Sequence, residues 1–154
     1  MKTAAIIAEY NPFHNGHKYQ IEETKRQTGA NFIVVVMSGD FVQRGIPAMY
    51  SKTFRTRSAL LSGADLVIEM PIFGTLSAAQ DFARCGVSLF HHMGMIDVLS
   101  FGSESGNIEE LWQLADHSAL ETNEQSALIR EGLRSGLTYP QALTLAKKET
   151  SFSK

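Results

Sequence analysis

The sequence predicts an α/β fold, a parallel sheet with helices on both faces, and three observations carry that prediction. Short apolar runs rich in β-branched residues alternate with longer amphipathic stretches from Met1 to Ala115. Each run ends in a turn signal of glycine, proline or asparagine. At 154 residues, 44% hydrophobic and 19% charged, the chain can bury one substantial core, so a single domain over residues 1–154 is expected.

The first strand is the run Ala4, Ala5, Ile6, Ile7, Ala8, apolar throughout as a buried parallel strand must be, and Asn11 and Pro12 end it. A helix then starts near Gly16, carrying Tyr19 and Ile21 among Glu22, Glu23, Lys25 and Arg26, with Gly29 as its C-terminal stop. Phe32 to Met37 is a β-branched second strand, followed by the loop Ser38, Gly39, Asp40. A helix is expected from Lys52 to Leu61. The third strand is Leu66, Val67, Ile68, stopped by Pro71. The next helix runs from Ser77 to Phe90, and His91, His92 and Met93 close it near the negative end of its dipole rather than bind metal. Val98, Leu99, Ser100, Phe101 form the fourth strand, ending at Gly102. A helix from Ile108 to Ala115 follows, in which Trp112 is expected to pack into a core beside Leu111 and Leu114. The remainder is Glu-rich and amphipathic, reaches another helical pattern past Tyr139 and Pro140, and is assigned to packing or a partner surface. Such β-α alternation is the pattern of Rossmann-like folds.

Composition narrows the function classes. Cys85 is the only cysteine, which excludes an intramolecular disulfide framework and suits a reducing cytoplasm. No apolar run reaches the ~20 residues that span a bilayer, and the N-terminus lacks a signal-peptide pattern, so a cytoplasmic protein without membrane contact is expected. The formal net charge of -2 gives no global attraction to nucleic acid. Neither a Walker A pattern nor a G-x-G-x-x-G after the first strand is present, which removes the P-loop and dinucleotide readings.

In open α/β sheets ligands lie beyond the carboxyl ends of the strands, and three loops there carry unusual residues. The first is Glu9, Tyr10, Asn11, Pro12, Phe13, His14, Asn15, Gly16, His17, with an H-x-G-H core where a strand gives way to a helix. Backbone N–H groups and the positive helix end favour phosphates at such a place, Gly16 admits close approach, and His14 and His17 can lie on one side of the first turn to donate hydrogen bonds. Two histidines at this spacing also occur as surface residues or as half of a metal site; with one cysteine and no further Cys/His pair at ligand spacing, zinc is the weaker reading. The second loop runs from Ser38 to Gly45. Asp40 there could bind magnesium through water or orient a substrate amine, or be ordinary turn chemistry. The third loop is Gly102, Ser103, Glu104, Ser105, Gly106, in which Glu104 either faces the nucleotide or is a plain loop acid. Arg44, Lys52, Arg55 and Arg57 make the only strongly basic stretch, with no acid among residues 41 to 64; it is either an RNA phosphate footprint or, for Lys52 and Arg55 above all, a solvated helix face.

Taken together, the first strand, E-Y-N-P-F-H-N-G-H, S-G-D-F-V-Q-R-G and F-G-S-E resemble the amino-terminal part of the bacterial tRNA(Met) cytidine acetate ligase family, within the H-x-G-H nucleotidyltransferase-like superfamily. The resemblance covers nearly the whole chain. It implies activation of acetate by ATP as acetyl-adenylate, then transfer of the acetyl group to the wobble cytidine of elongator tRNA(Met). By position it carries an ATP-binding stretch onto Ile7, Ala8, Glu9, Tyr10, Asn11, Pro12, Phe13, His14, Asn15, Gly16, His17, Lys18, Tyr19 and Gln20, and a nucleotide-binding glycine onto Gly102. Members of that family are more than twice this length, so the resemblance implies part of a longer protein.

Adenylation needs a carboxylate aligned with the α-phosphate and the developing charge neutralised, a task suited to histidines, a helix N-terminus and a magnesium ion brought with ATP. His14, His17 and Asp40 are the expected catalytic residues, and Arg44 and Arg57 the expected tRNA contacts. Whether a homodimer completes the site is left open. Two other readings fit the same loop: a nucleotidyltransferase moving AMP onto a phosphorylated small molecule, and a non-catalytic ATP- or RNA-binding module.

Overall fold

The computed structural model describes residues 1–103, 106–119 and 123–151, so Glu104 lies outside the described residues, as does the side chain of Arg44. The chain divides into two compact units, Met1–Gly102 and Ser103–Lys154.

In the first unit four strands, β1 (Thr3–Ala8), β2 (Phe32–Met37), β3 (Leu66–Glu69) and β4 (Val98–Ser100), form one parallel sheet in the order β3-β2-β1-β4. Side chains alternate across a strand, and each face therefore has its own apolar set. On one face Ala4, Ile6, Ile33, Val35 and Met37 pack against Ile21 of α1 (Asn15–Thr28) and Ala59 of α2 (Lys52–Leu61). On the other, Ala5, Val34 and Val36 meet Phe90 and the half-buried Phe82, Cys85 and Leu89 of α4 (Ala79–Met93). Ile6, Ile33 and Val35 are fully buried, each contributing about 1.5–3 kcal/mol by leaving water. The expected parallel sheet with helices on both faces is what forms.

Local signals end the elements where the sequence places them. Gly29 takes the left-handed conformation (φ 65°) and donates its N–H to Lys25 O at 3.0 Å, closing α1. Gly94 (φ 64°) does the same for α4 just past His91, His92 and Met93, and donates to His91 O. A short helix, α3 (Ile72–Thr75), follows Pro71 and was not anticipated; four residues are too few to show a period.

The amino ends of the strands are tied by side chains. Asp65, just before β3, accepts from Ile33 N of β2 at 2.7 Å, and Asp97, just before β4, accepts from Thr3 N of β1 at 2.7 Å. The carboxyl ends are thereby the end left to the long loops.

The second unit holds α5 (Ile108–Ala119), α6 (Asn123–Arg134) and α7 (Tyr139–Ser151). Its core is Ile129, Ala142 and Ala146, with Leu128, Leu137 and Leu143 packed against it. Trp112, expected in a core, is instead 65% exposed, because the α6–α7 core closes without it.

Candidate functional site

The histidine loop follows β1 directly and opens α1. His14 is the N-cap residue, extended at φ −142° and ψ 176°. Its Nδ1 accepts from Gly16 N at 3.1 Å, while its own N–H donates to His17 Nδ1 at 3.3 Å, a reciprocal cap at the helix mouth. His14 O also accepts from His17 N at 2.9 Å. The two imidazoles stack with centroids 3.7 Å apart.

This arrangement sets the chemistry of both rings. A backbone N–H can only donate, so each Nδ1 carries a lone pair, and in the neutral ring the proton sits on Nε2. Two Nε2–H donors therefore remain for a ligand. Burial, and after it the neighbouring His14, lowers the His17 pKa from its ordinary value and keeps that ring neutral near pH 7. The cap also changes what the backbone offers, since Gly16 N and His17 N are already bonded within the turn.

A cleft of about 550 Å³ lies at the carboxyl end of β1, within the range of small-ligand sites. It is lined by Ile7 and Ala8 of β1, by Glu9, Tyr10, Asn11 and Pro12 of the loop, and by His14, His17 and Gln20. Phe82 of α4 completes it from the opposite face of the sheet. Tyr10 is the pivot. Its backbone is left-handed (φ 51°), uncommon for a side chain of this size, and the Asn11–Pro12 bond beside it is cis. Its ring is 1% exposed and meets Phe13 and His17 edge-on, each with centroids 4.8 Å away. The Tyr10 hydroxyl is buried without a hydrogen-bond partner among the described residues, and burial pushes its pKa up.

Other residues expected at the site are placed around this cleft or apart from it. Phe13 packs against the core, Asn15 and Gly16 form the first helical turn, Lys18 pairs with Glu22 at 3.8 Å, and Tyr19 faces solvent. Gly102 follows β4, and among the described residues none beyond its chain neighbours comes within 4 Å of the Cβ it lacks. Asp40 is outside the cleft lining: its carboxylate accepts from Lys52 N at 3.3 Å and lies 3.7 Å from Lys52 Nζ. Lys52 Nζ also donates to both oxygens of Glu69 at 2.9 Å. Arg57 is exposed on α2.

Arg55 corrects the expectation of a solvated helix face. It is completely buried, and its guanidinium donates to Glu9 O at 2.6 Å, Ser38 O at 3.1 Å, Tyr50 O at 3.0 Å and Gly39 O. One side chain thus ties the end of β1 to the end of β2. Desolvation lowers its pKa, opposed by Asp40, Glu9 and Glu69, and the group stays charged. A signal existed in the sequence: Arg55 stands one turn before Ala59, on the buried stripe of α2. Phe82 offered none beyond an apolar position on a helix.

Two further hydrogen bonds stitch the loop after β2 to the cleft. Glu9 Oε1 accepts from Gln43 N at 2.6 Å and Asn11 Oδ1 from Met49 N at 2.7 Å.

The family described as HIGH Nucleotidyl Transferase matches residues 1–154. A protein of Acetivibrio thermocellus named tRNA(Met) cytidine acetate ligase is 45% identical over 154 residues, which are 99% of this chain and 37% of that protein. The protein of the same name from a Geobacillus species is 46% identical over 142 residues, 92% of this chain and 35% of its own. A crystal structure of Thermotoga maritima TmcAL bound with alpha-thio ATP matches at TM-score 0.86 and 36% identity, covering 95% of this chain and 35% of that one. The chain spans little more than a third of the length of these relatives.

Proposed function

The chain belongs to the HIGH nucleotidyl transferase family, and from that premise we propose that its cleft binds ATP and activates acetate for acetylation of the wobble cytidine of elongator tRNA(Met). In the first step an acetate oxygen attacks the α-phosphorus of ATP; the P–O bond to pyrophosphate breaks, and acetyl-adenylate forms. In the second the exocyclic amine of cytidine attacks the acetyl carbonyl, the C–O bond to AMP breaks, the amine gives up one proton to the departing phosphate or to water, and N4-acetylcytidine results.

The observation that carries this reading is the paired Nδ1 acceptors, which leave the Nε2–H of both imidazoles as donors in the lining of one cleft. Such donors suit phosphate oxygens and are already oriented before the nucleotide arrives. Names and ligands of the relatives favour the same chemistry, since the Thermotoga protein is described with an ATP analogue and the Acetivibrio protein as a tRNA(Met) cytidine acetate ligase. The reading carries magnesium only as the counter-ion of ATP, because among the described residues no three His, Cys, Asp or Glu side chains stand together. It places the enzyme in the cytoplasm, and among the described residues no helix is long and apolar enough to cross a membrane.

Acetate-dependent exchange of labelled pyrophosphate into ATP tests the reading. The expected result is exchange that His17→Ala reduces about 100- to 1,000-fold, the usual loss for one donor aimed at transition-state charge. His17→Gln keeps an N–H donor and should retain more activity than alanine. Exchange that needs a phosphorylated acceptor instead of acetate would shift the reading to AMP transfer, and an undiminished rate in His17→Ala would reject the histidine role.

A further inference from the structure

We propose that Tyr50, Phe54 and Arg57 form a stacking platform for an unpaired base of single-stranded RNA, held beside the cleft. The proposal rests on the acyl-transfer reading above and specifies where the acceptor RNA is gripped.

Tyr50 and Phe54 are 46% and 54% exposed, yet their rings already lie with centroids 5.0 Å apart and planes 31° from parallel. Their backbone is fixed from beneath. Ser51, between them, caps α2 by accepting from Phe54 N at 3.3 Å, and the buried Arg55 donates to Tyr50 O at 3.0 Å. An aromatic surface ordered in advance loses little entropy when a flat ligand stacks on it.

Residues 41 to 64 contain no Asp or Glu. Two carboxylates from outside the segment, Asp40 and Glu69, reach it, and both are engaged by Lys52. Of the cations in that span, Lys52 is engaged by Glu69 and Asp40, and Arg55 by four carbonyls. Arg57 is exposed, makes no ion pair among the described residues, and stands three positions after Phe54, on the same side of α2. Aromatic rings flanked by an unneutralised guanidinium match a nucleobase and its phosphate.

Position agrees with the chemistry. The segment bearing the platform is bonded to cleft-lining residues through Met49 N to Asn11 Oδ1 and Arg55 Nη1 to Glu9 O. A base stacked there would hold its neighbour in the strand near the cleft, where an activated acyl group is made.

The test is anisotropy titration of the purified protein with a short stem-loop RNA carrying cytidine in its loop, beside a duplex RNA of equal length. Phe54→Ala and Tyr50→Ala are expected to weaken stem-loop binding about 5- to 150-fold each, the range for one lost stacked base. Arg57→Gln should weaken it and reduce the salt slope by about one. Phe54→Trp should retain affinity, and its indole fluorescence should be quenched by the stem-loop and not by the duplex. The Tyr50 and Phe54 variants should keep wild-type acetate-dependent pyrophosphate exchange and melting temperature. If wild type shows no such exchange but the variants still lose RNA, the acyl-activation reading fails and the platform stands. Unchanged stem-loop affinity in both alanine variants, an unquenched indole, or variants that alter only the oligomeric state in sedimentation would each overturn the platform.

Discussion

Replacing Arg55 with methionine is expected to lower the melting temperature by about 5–15 °C. The guanidinium holds four carbonyl oxygens, of which Ser38 O and Gly39 O are buried. Each buried acceptor left without a donor costs about 1–3 kcal/mol, so these two alone amount to about 2–6 kcal/mol. The bonds to Glu9 O and Tyr50 O are half-buried, and water can take them over at smaller cost. Removing the charge also relieves its desolvation, which brings the net loss to about 2–4 kcal/mol. For a chain of this size each kcal/mol shifts melting by about 2–4 °C. Arg55→Lys keeps the charge but lacks the planar fork that reaches several carbonyls at once, and should recover less than half of the loss. Because Glu9 lines the cleft, ATP affinity measured by calorimetry should fall in both variants while secondary structure, followed by circular dichroism, stays intact below the transition. A methionine variant that melts within about 2 °C of wild type and binds ATP equally well would refute the role of this side chain as the tie between the two strand ends.

Two other outcomes follow from the same geometry. His17 has its pKa lowered from 6.5 by burial and by His14, so as the pH falls the unfolded chain takes up that proton first. The stabilising contribution is therefore full above about pH 6.5 and is lost as the pH falls through the folded value; urea unfolding should show wild type losing more stability than His17→Gln between about pH 7 and pH 5, and equal losses would contradict it. Gly86 of α4 faces β1 so closely that an added Cβ would lie 2.6 Å from Ile7 Cδ1. Gly86→Ala should consequently cost about 1–3 kcal/mol in denaturant unfolding, in place of the roughly 1 kcal/mol a helix normally gains from alanine.

Much of this protein was legible locally. Phe32–Met37 and Lys52–Leu61 have the bounds that β-branching and amphipathic spacing suggest, and Gly29 stops α1 because only a residue without Cβ enters the left-handed region freely. The α4 helix runs on to Met93, past the expected Phe90, because its stop is Gly94. The histidine loop was recognisable from its place between a strand and a helix, and six of its residues, with Ile7, Ala8 and Gln20 beside it, line the cleft. The protonation pattern was not: it depends on which backbone N–H each Nδ1 meets, a matter of ångströms within the first turn.

The amino-acid order by itself determined the four strands, the bounds of α2 and the stop of α1, since each depends on neighbours within a few residues. The tertiary structure alone decided that Arg55 is a buried clamp, that Trp112 faces solvent, and that Phe82 reaches the cleft from the far side of the sheet. Those outcomes require residues distant in sequence, such as Glu9, Ser38 and Tyr50, to meet around one guanidinium, and no local pattern encodes such a convergence.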